Sequence, residues 1–120
     1  MERSEIKILF IGDIVGRPGR GASKKLIPEL VKEHGIDFVI ANGENLASGS
    51  GITFDKYQEM IDAGIDYFTS GNHVWNKREI IPHLEDGSVK IIRPANYPDP
   101  CPGKGSVTFE VGKHKVTLVN

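Results

Sequence analysis

Asp13, Glu44, Asn45, Asn72 and His73 are the residues whose types and spacing could do chemistry. Each group follows a short apolar run and abuts a glycine, as Gly12-Asp13, Gly43-Glu44-Asn45 and Gly71-Asn72-His73. A glycine there lets backbone or ligand approach closely. Carboxylate and carboxamide oxygens beside an imidazole suit Mn²⁺, Fe or Mg²⁺ better than a thiolate-preferring metal. A carboxylate between two such ions can bridge them. Two ions roughly 3.5–4 Å apart can activate a water and clamp the oxygens of a phosphoester during in-line displacement. A single acidic residue in a loop is ordinarily just solvated, and Gly-Asn is common in plain turns. The weight lies in three such groups recurring at three run ends.

The elements that must position them follow from apolar patterning. Residues 6–11 read as a central parallel strand, 37–41 as a second, 65–70 as a third and 89–92 as a fourth. Residues 16–21 are loop-like by their Gly and Pro content. A helix then runs to about His34, with Leu26, Ile27, Leu30 and Val31 on one face and Gly35 as a left-handed C-terminal cap. Pro28 must fall in its first turn or kink it. Thr53 is an N-cap candidate for a second helix marked by Tyr57, Met60 and Ile61 and closed by Gly64. Asn76 with Glu79 has capping-box form and opens a short third helix to about Leu84. Arg93 to Pro102 is an extended loop, and 107–111 with 115–119 form a hairpin turning at Gly112-Lys113. The order β-α-β-α-β-α-β gives an α/β fold, in which parallel strand ends bring Asp13, Glu44-Asn45 and Asn72-His73 side by side.

Bulk properties narrow the class. The 120 residues suffice for one domain with a core, and 38% hydrophobic with 26% charged residues excludes a disordered or membrane-embedded chain. The polar start Met1-Glu2-Arg3-Ser4-Glu5 has no secretory apolar segment. Cys101 is the only cysteine, which precludes an internal disulfide and fits a cytoplasmic location. A net charge of −1 and scattered aromatics argue against RNA or DNA as a backbone-bound partner. No Gly-x-Gly-x-x-Gly follows the first strand, residues 102–106 do not fit a P-loop, and Ser48, Ser50 and Ser70 lack a nucleophile elbow. Cys101 reads as a loop residue. His34 and His83 fall near helix C-termini and His114 in the hairpin turn, and all three read as structural.

The set Gly12-Asp13-Ile14-Val15-Gly16, Asn42-Gly43-Glu44-Asn45, Gly71-Asn72-His73-Val74-Trp75 and Arg93-Pro94-Ala95-Asn96-Tyr97-Pro98 closely resembles the YmdB-like branch of the calcineurin-type metallophosphoesterases. The resemblance covers essentially the whole chain, with four motifs in order. It implies the N-terminal half of a metallophosphoesterase-type β-α-β sandwich, residues 1–120 being that half of a single domain. Members of the branch are bacterial dinuclear-metal phosphodiesterases acting on 2′,3′-cyclic nucleotides and related phosphodiesters. The wider superfamily has Asp-x-His and Gly-Asp where this chain has Val15 and Glu44, departures characteristic of the branch. By resemblance, Asp13 binds one metal, Glu44 bridges two, Asn45 binds or orients at the first, and Asn72 binds the second. His73 is the proton donor to the leaving oxygen, a role an imidazole can fill without ligating metal. Arg17, Arg20, Arg93 and Asn96 are candidate substrate contacts. The implied cofactors are two divalent or trivalent ions, Fe or Mn before Mg, and the implied partner is a small phosphodiester or nucleotide.

The family's later histidines, which complete both metal shells, have no counterpart among these 120 residues. The expectation is therefore weak metal binding, little turnover, and an open sheet face and edge that favour homo-oligomerisation. The alternative is a non-catalytic nucleotide- or phosphate-binding regulatory module.

Overall fold

The computed structural model describes residues 5–120; residues 1–4, most of the polar N-terminal stretch, lie outside the described residues. Three parallel strands, β1 (Ile8–Ile11), β2 (Phe38–Asn42) and β3 (Tyr67–Thr69), form a sheet in that order. Their register pairs Ile8 with Phe38 and Ile40 with Tyr67. Parallel neighbours need helical crossovers. These are α1 (Gly16–His34) and α2 (Phe54–Asp62). A short helix α3 (Ile81–Asp86) follows, and an antiparallel hairpin of β4 (Ser106–Val111) and β5 (His114–Val119) ends the chain.

Alternation along β2 sorts the two sheet faces. Val39 and Ala41 point into a core shared with Ile27 of α1, Tyr57 and Met60 of α2, Phe68 of β3 and Leu84 of α3. Phe38 lies on the opposite face, where it stacks on Phe109 of the hairpin at 4.2 Å, with Tyr67 6.0 Å from the same ring. The hairpin thus covers β2 and β3. β1 remains an edge of the three-stranded sheet, with Ile8 and Phe10 exposed.

The α/β class, the parallel sheet and the hairpin with its Gly112-Lys113 turn agree with the sequence. Other local expectations do not. Residues 16–21 are the first turns of α1, because Gly16 at φ +59° swings the chain out of the Asp13 loop. Pro18 then falls in the first turn, where an amide hydrogen has no helical partner to lose. Pro28 sits mid-helix, and α1 continues through it to the Gly35 cap. The Asn76–Glu79 capping box does not form. Glu79 Oε1 instead accepts from the Phe54 amide at 2.9 Å, and Asn76 Nδ2 donates to Ser50 Oγ, so two 3₁₀ turns (Asn72–Trp75 and Arg78–Ile80) precede α3. The fourth strand reduces to a single parallel bridge, Phe68 with Ile91. Thr53 holds the N-cap position of α2, but its hydroxyl donates to Asp55 rather than accepting from a helix amide.

Candidate metal and phosphoester site

The ends of β1 and β2 are stitched together by backbone. The Ile14 amide donates to Asn42 O at 3.3 Å and the Gly16 amide to Asn45 O at 2.9 Å. β3 joins through the Gly43 amide, which donates to Thr69 O at 2.9 Å. After Glu44 and Asn45 the loop folds back on itself, with the Gly51 amide donating to Glu44 O and the Ala47 amide to Gly51 O. These bonds hold the loop backbones, so the side chains they carry are placed by the sheet itself.

Asn45, only 8% exposed, is the centre of what results. Its Nδ2 donates to both oxygens of Asp13, at 3.0 and 2.8 Å. A carboxylate only accepts, so the carboxamide nitrogen must face Asp13 and Oδ1 must face His73. Asn45 Oδ1 and His73 Nδ1 are 2.5 Å apart. A carbonyl oxygen only accepts, so Nδ1 carries the hydrogen and Nε2 is the ring nitrogen left for a ligand. Glu44 comes in from the other side. Its Oε2 accepts from the His73 amide at 3.3 Å and lies 3.7 Å from His73 Nδ1.

Gly71 makes room for that carboxylate. A Cβ at this position would lie 2.5 and 2.6 Å from the two Glu44 oxygens. Its φ of −144° is open to any residue, so the requirement is space alone. His73 keeps 42% of its side chain exposed and Glu44 19%, which leaves both open to a ligand.

The structure thus brings Asp13, Glu44, Asn45 and His73 together. Asn72 opens the 3₁₀ turn beside His73, exposed and without a side-chain hydrogen bond among the described residues. Arg17 in the first turn of α1 and Asn96 in the loop after Arg93 are likewise exposed. Two expected substrate contacts have other partners. Arg20 is buried, its Nη1 donating to Leu46 O at 2.5 Å and its Nε 3.0 Å from Glu59 Oε2, where it locks α1 to α2 and to the loop behind Asn45. Arg93 is 5% exposed, its Nη1 folded back onto Pro94 O at 3.1 Å and its Nε without an acceptor among the described residues. A buried guanidinium is costly unless paired; Arg20 is paired with Glu59, whereas Arg93 has a single backbone acceptor in Pro94 O. His83 stacks on Phe54 at 4.6 Å, in keeping with a structural role. His114 begins β5, one residue past the turn, with Nε2 buried.

Asn120 was not legible as a site neighbour: its Oδ1 accepts from the Ser70 amide at 2.7 Å, just before Gly71. Fifty positions separate the two, and no local pattern announces such a bond.

The donor set has the chemistry of a hard-cation site: two carboxylates, two carboxamides and a neighbouring imidazole at adjoining strand ends. It fits in kind and falls short in number. Among the described residues no group of three or more His, Cys, Asp or Glu converges tightly enough to hold an ion. No helix among them is long and apolar enough to cross a membrane.

The chain is similar to a Bacillus subtilis protein named 2′,3′-cyclic-nucleotide 2′-phosphodiesterase, with 41% identity over 115 residues, covering 96% of this chain and 43% of that protein. Two crystal structures superpose closely. One is of a hypothetical protein from Thermus thermophilus, with a TM-score of 0.86 and 39% identity over 93% of this chain and 43% of the other. The second is of a phosphatase from Mycoplasma pneumoniae, with a TM-score of 0.87 and 31% identity over 95% of this chain and 42% of the other. The chain therefore spans somewhat under half the length of the relatives it matches. Residues 9–120 match the family described as YmdB-like protein, and with these likenesses they establish that the chain belongs to the YmdB-like family.

Proposed function

We propose that this chain carries part of the active site of a metal-dependent phosphodiesterase acting on 2′,3′-cyclic nucleotides or related phosphodiesters. The observation that supports it best is the Asp13–Asn45–His73 chain of hydrogen bonds beside Glu44. Asp13 and Asn45 would hold one ion, Asn72 a second, and Glu44 would be shared. Such ions, Fe or Mn before Mg, would supply positive charge for the phosphoryl oxygens and would make a water nucleophilic at neutral pH.

The chain's own residues do the rest. Asp13 orients Asn45, and Asn45 holds His73 Nδ1–H, so a protonated His73 presents Nε2–H outward. As the water oxygen bonds to phosphorus and gives up a proton to solvent, the ester oxygen departs and takes the proton from Nε2, and the now neutral His73 regains a proton from solvent. Arg17 and Asn96, exposed on loops, contact the substrate phosphate or sugar. The inward-turned Arg20 and Arg93 support the loops that carry the site.

Two ions with roughly five or six ligands each need more than Asp13, Glu44, Asn45 and Asn72. On this reading residues 1–120 are the N-terminal half of one metallophosphoesterase domain, weak in metal binding and in turnover when alone. The polar composition and lone Cys101 fit a cytoplasmic enzyme.

The test is hydrolysis of 2′,3′-cyclic AMP with added Mn²⁺, by this chain and by the chain fused to the remaining part of the Bacillus subtilis relative. The expected result is turnover by the fusion, little by the chain alone, and a loss of about 10²–10⁴-fold in the fusion carrying His73→Ala. Full activity in that variant would remove His73 as the acid. Nucleotide binding without hydrolysis in the fusion would favour a regulatory module.

A further inference from the structure

Asn120 closes a three-way junction beneath the Gly71-Asn72-His73 turn. Its amide donates to Gly105 O at 3.0 Å, and its carbonyl accepts from the Ala95 amide at 2.8 Å. Those two backbone bonds tie the end of β5 to the loop that carries Arg93 and Asn96. Its side chain does something separate. Oδ1 accepts from the Ser70 amide at 2.7 Å, reaching across to the end of β3.

Ser70 is 3% exposed and directly precedes Gly71. Its hydroxyl donates to Ile92 O at 2.7 Å, so the residue is fixed on that side as well. At the neighbouring position the Thr69 carbonyl is engaged by the Gly43 amide of the β2 loop. The Ser70 amide lies beyond the last β2–β3 pair, Asn42 with Thr69, and its acceptor is a side chain rather than a strand. A buried peptide N–H needs an acceptor, and the position of that acceptor sets where the chain leaves the sheet.

We propose that Asn120 is a positioning residue for the candidate site. Its carboxamide fixes the Ser70 amide and thereby the backbone from which Asn72 and His73 project. It also couples that backbone to the 93–105 loop, so the metal-side residues and the exposed Asn96 move as one body. The proposal rests on the phosphodiesterase reading only for what the positioned residues are used for.

The side-chain bond can be removed without touching the backbone pair. Asn120→Ala keeps the Gly105 and Ala95 bonds and deletes the acceptor. Asn120→Asp restores an acceptor oxygen. The experiment is amide hydrogen exchange and backbone chemical-shift mapping by NMR on this chain. In Asn120→Ala the Ser70 amide should exchange about tenfold faster or more, as local opening there becomes easier. The Asn72 and His73 amide signals should shift, while the Ala95 and Asn120 amides stay protected. Asn120→Asp should return Ser70 and His73 towards the wild-type values.

Unchanged Ser70 exchange and unchanged Asn72 and His73 signals in Asn120→Ala would overturn the proposal. So would loss of protection at Ala95 and Asn120 together with Ser70, unrescued by Asn120→Asp, since that marks general loosening of the hairpin. None of these readouts needs turnover. A protein that hydrolyses no phosphodiester would defeat the functional reading and leave the positioning result standing.

Discussion

Asn45 sits between Asp13 and His73, donating through Nδ2 to both carboxylate oxygens of the first and accepting through Oδ1 from Nδ1 of the second. One buried carboxamide thereby sets the direction of a carboxylate and the tautomer of an imidazole. Neither arrangement needs a bound ion, since both follow from which groups can donate. The site is thus organised first by hydrogen bonds and offers its remaining lone pairs to a ligand.

Gly71→Ala tests the packing of Glu44. The backbone angle tolerates alanine, so the expected effect is the collision of Cβ with the Glu44 carboxylate. The struck atoms are the end of a flexible side chain, so the carboxylate should swing away at a cost of about 1 kcal/mol or less. Urea unfolding should show at most that loss, while Mn²⁺ affinity should fall because the carboxylate is displaced. Unchanged Mn²⁺ binding would mean that the Glu44 carboxylate takes no part in holding the ion.

Arg20 and Arg17 separate support from contact. Arg20→Ala removes a buried donor to Leu46 O and the Nε partner of Glu59 Oε2, leaving Glu59 Oε1 to Lys24. It should destabilise the chain by about 1–3 kcal/mol. Arg17→Ala, at an exposed position, should stay within about 0.5 kcal/mol of the parent. Chemical denaturation of the two variants side by side measures the contrast. Equal midpoints would contradict the structural assignment of Arg20.

Acid stability should carry the mark of Glu59. The hydrogen bond from Lys24, with the charges of Lys24, Arg20 and Lys56, holds its carboxyl below the ordinary glutamate value of 4.5 against the opposing pull of burial. A depressed folded-state value means the unfolded chain binds the proton more readily. The stabilisation is therefore complete above the ordinary value and drains away as pH falls through the lower, folded value. Melting temperature measured from pH 7 downward should fall less steeply for Glu59→Gln than for the parent in this acid window. Parallel curves would exclude Glu59 as a source of the acid sensitivity.

The sequence discloses what rests on local pattern. Apolar runs announced β1, β2 and β3, and the glycines after them marked strand ends, so Asp13, Glu44, Asn45 and His73 were legible as convergent groups. Local composition misled where a tertiary bond took over. Gly16 and Pro18 read as loop, yet the Gly16 amide is satisfied by Asn45 O and the helix starts there. Glu79 looked like a capping partner for Asn76 and instead accepts from the Phe54 amide, 25 positions away. For Arg20, a candidate substrate contact by its charge, sequence does not reveal that Leu46 O and Glu59 lie behind it. Asn120 carried no signal, since its importance lies in meeting Ser70 across the fold.

The measurement that bears most directly on this account is the tautomer of His73, read from long-range ¹H–¹⁵N correlations of its neutral ring in the metal-free chain. The predicted result is hydrogen on Nδ1 and a bare Nε2, with the preference lost in Asn45→Leu. Hydrogen on Nε2 in the parent chain, or the same spectrum in both proteins, would contradict the claim that Asn45 fixes the tautomer of His73 and leaves Nε2 free for a ligand.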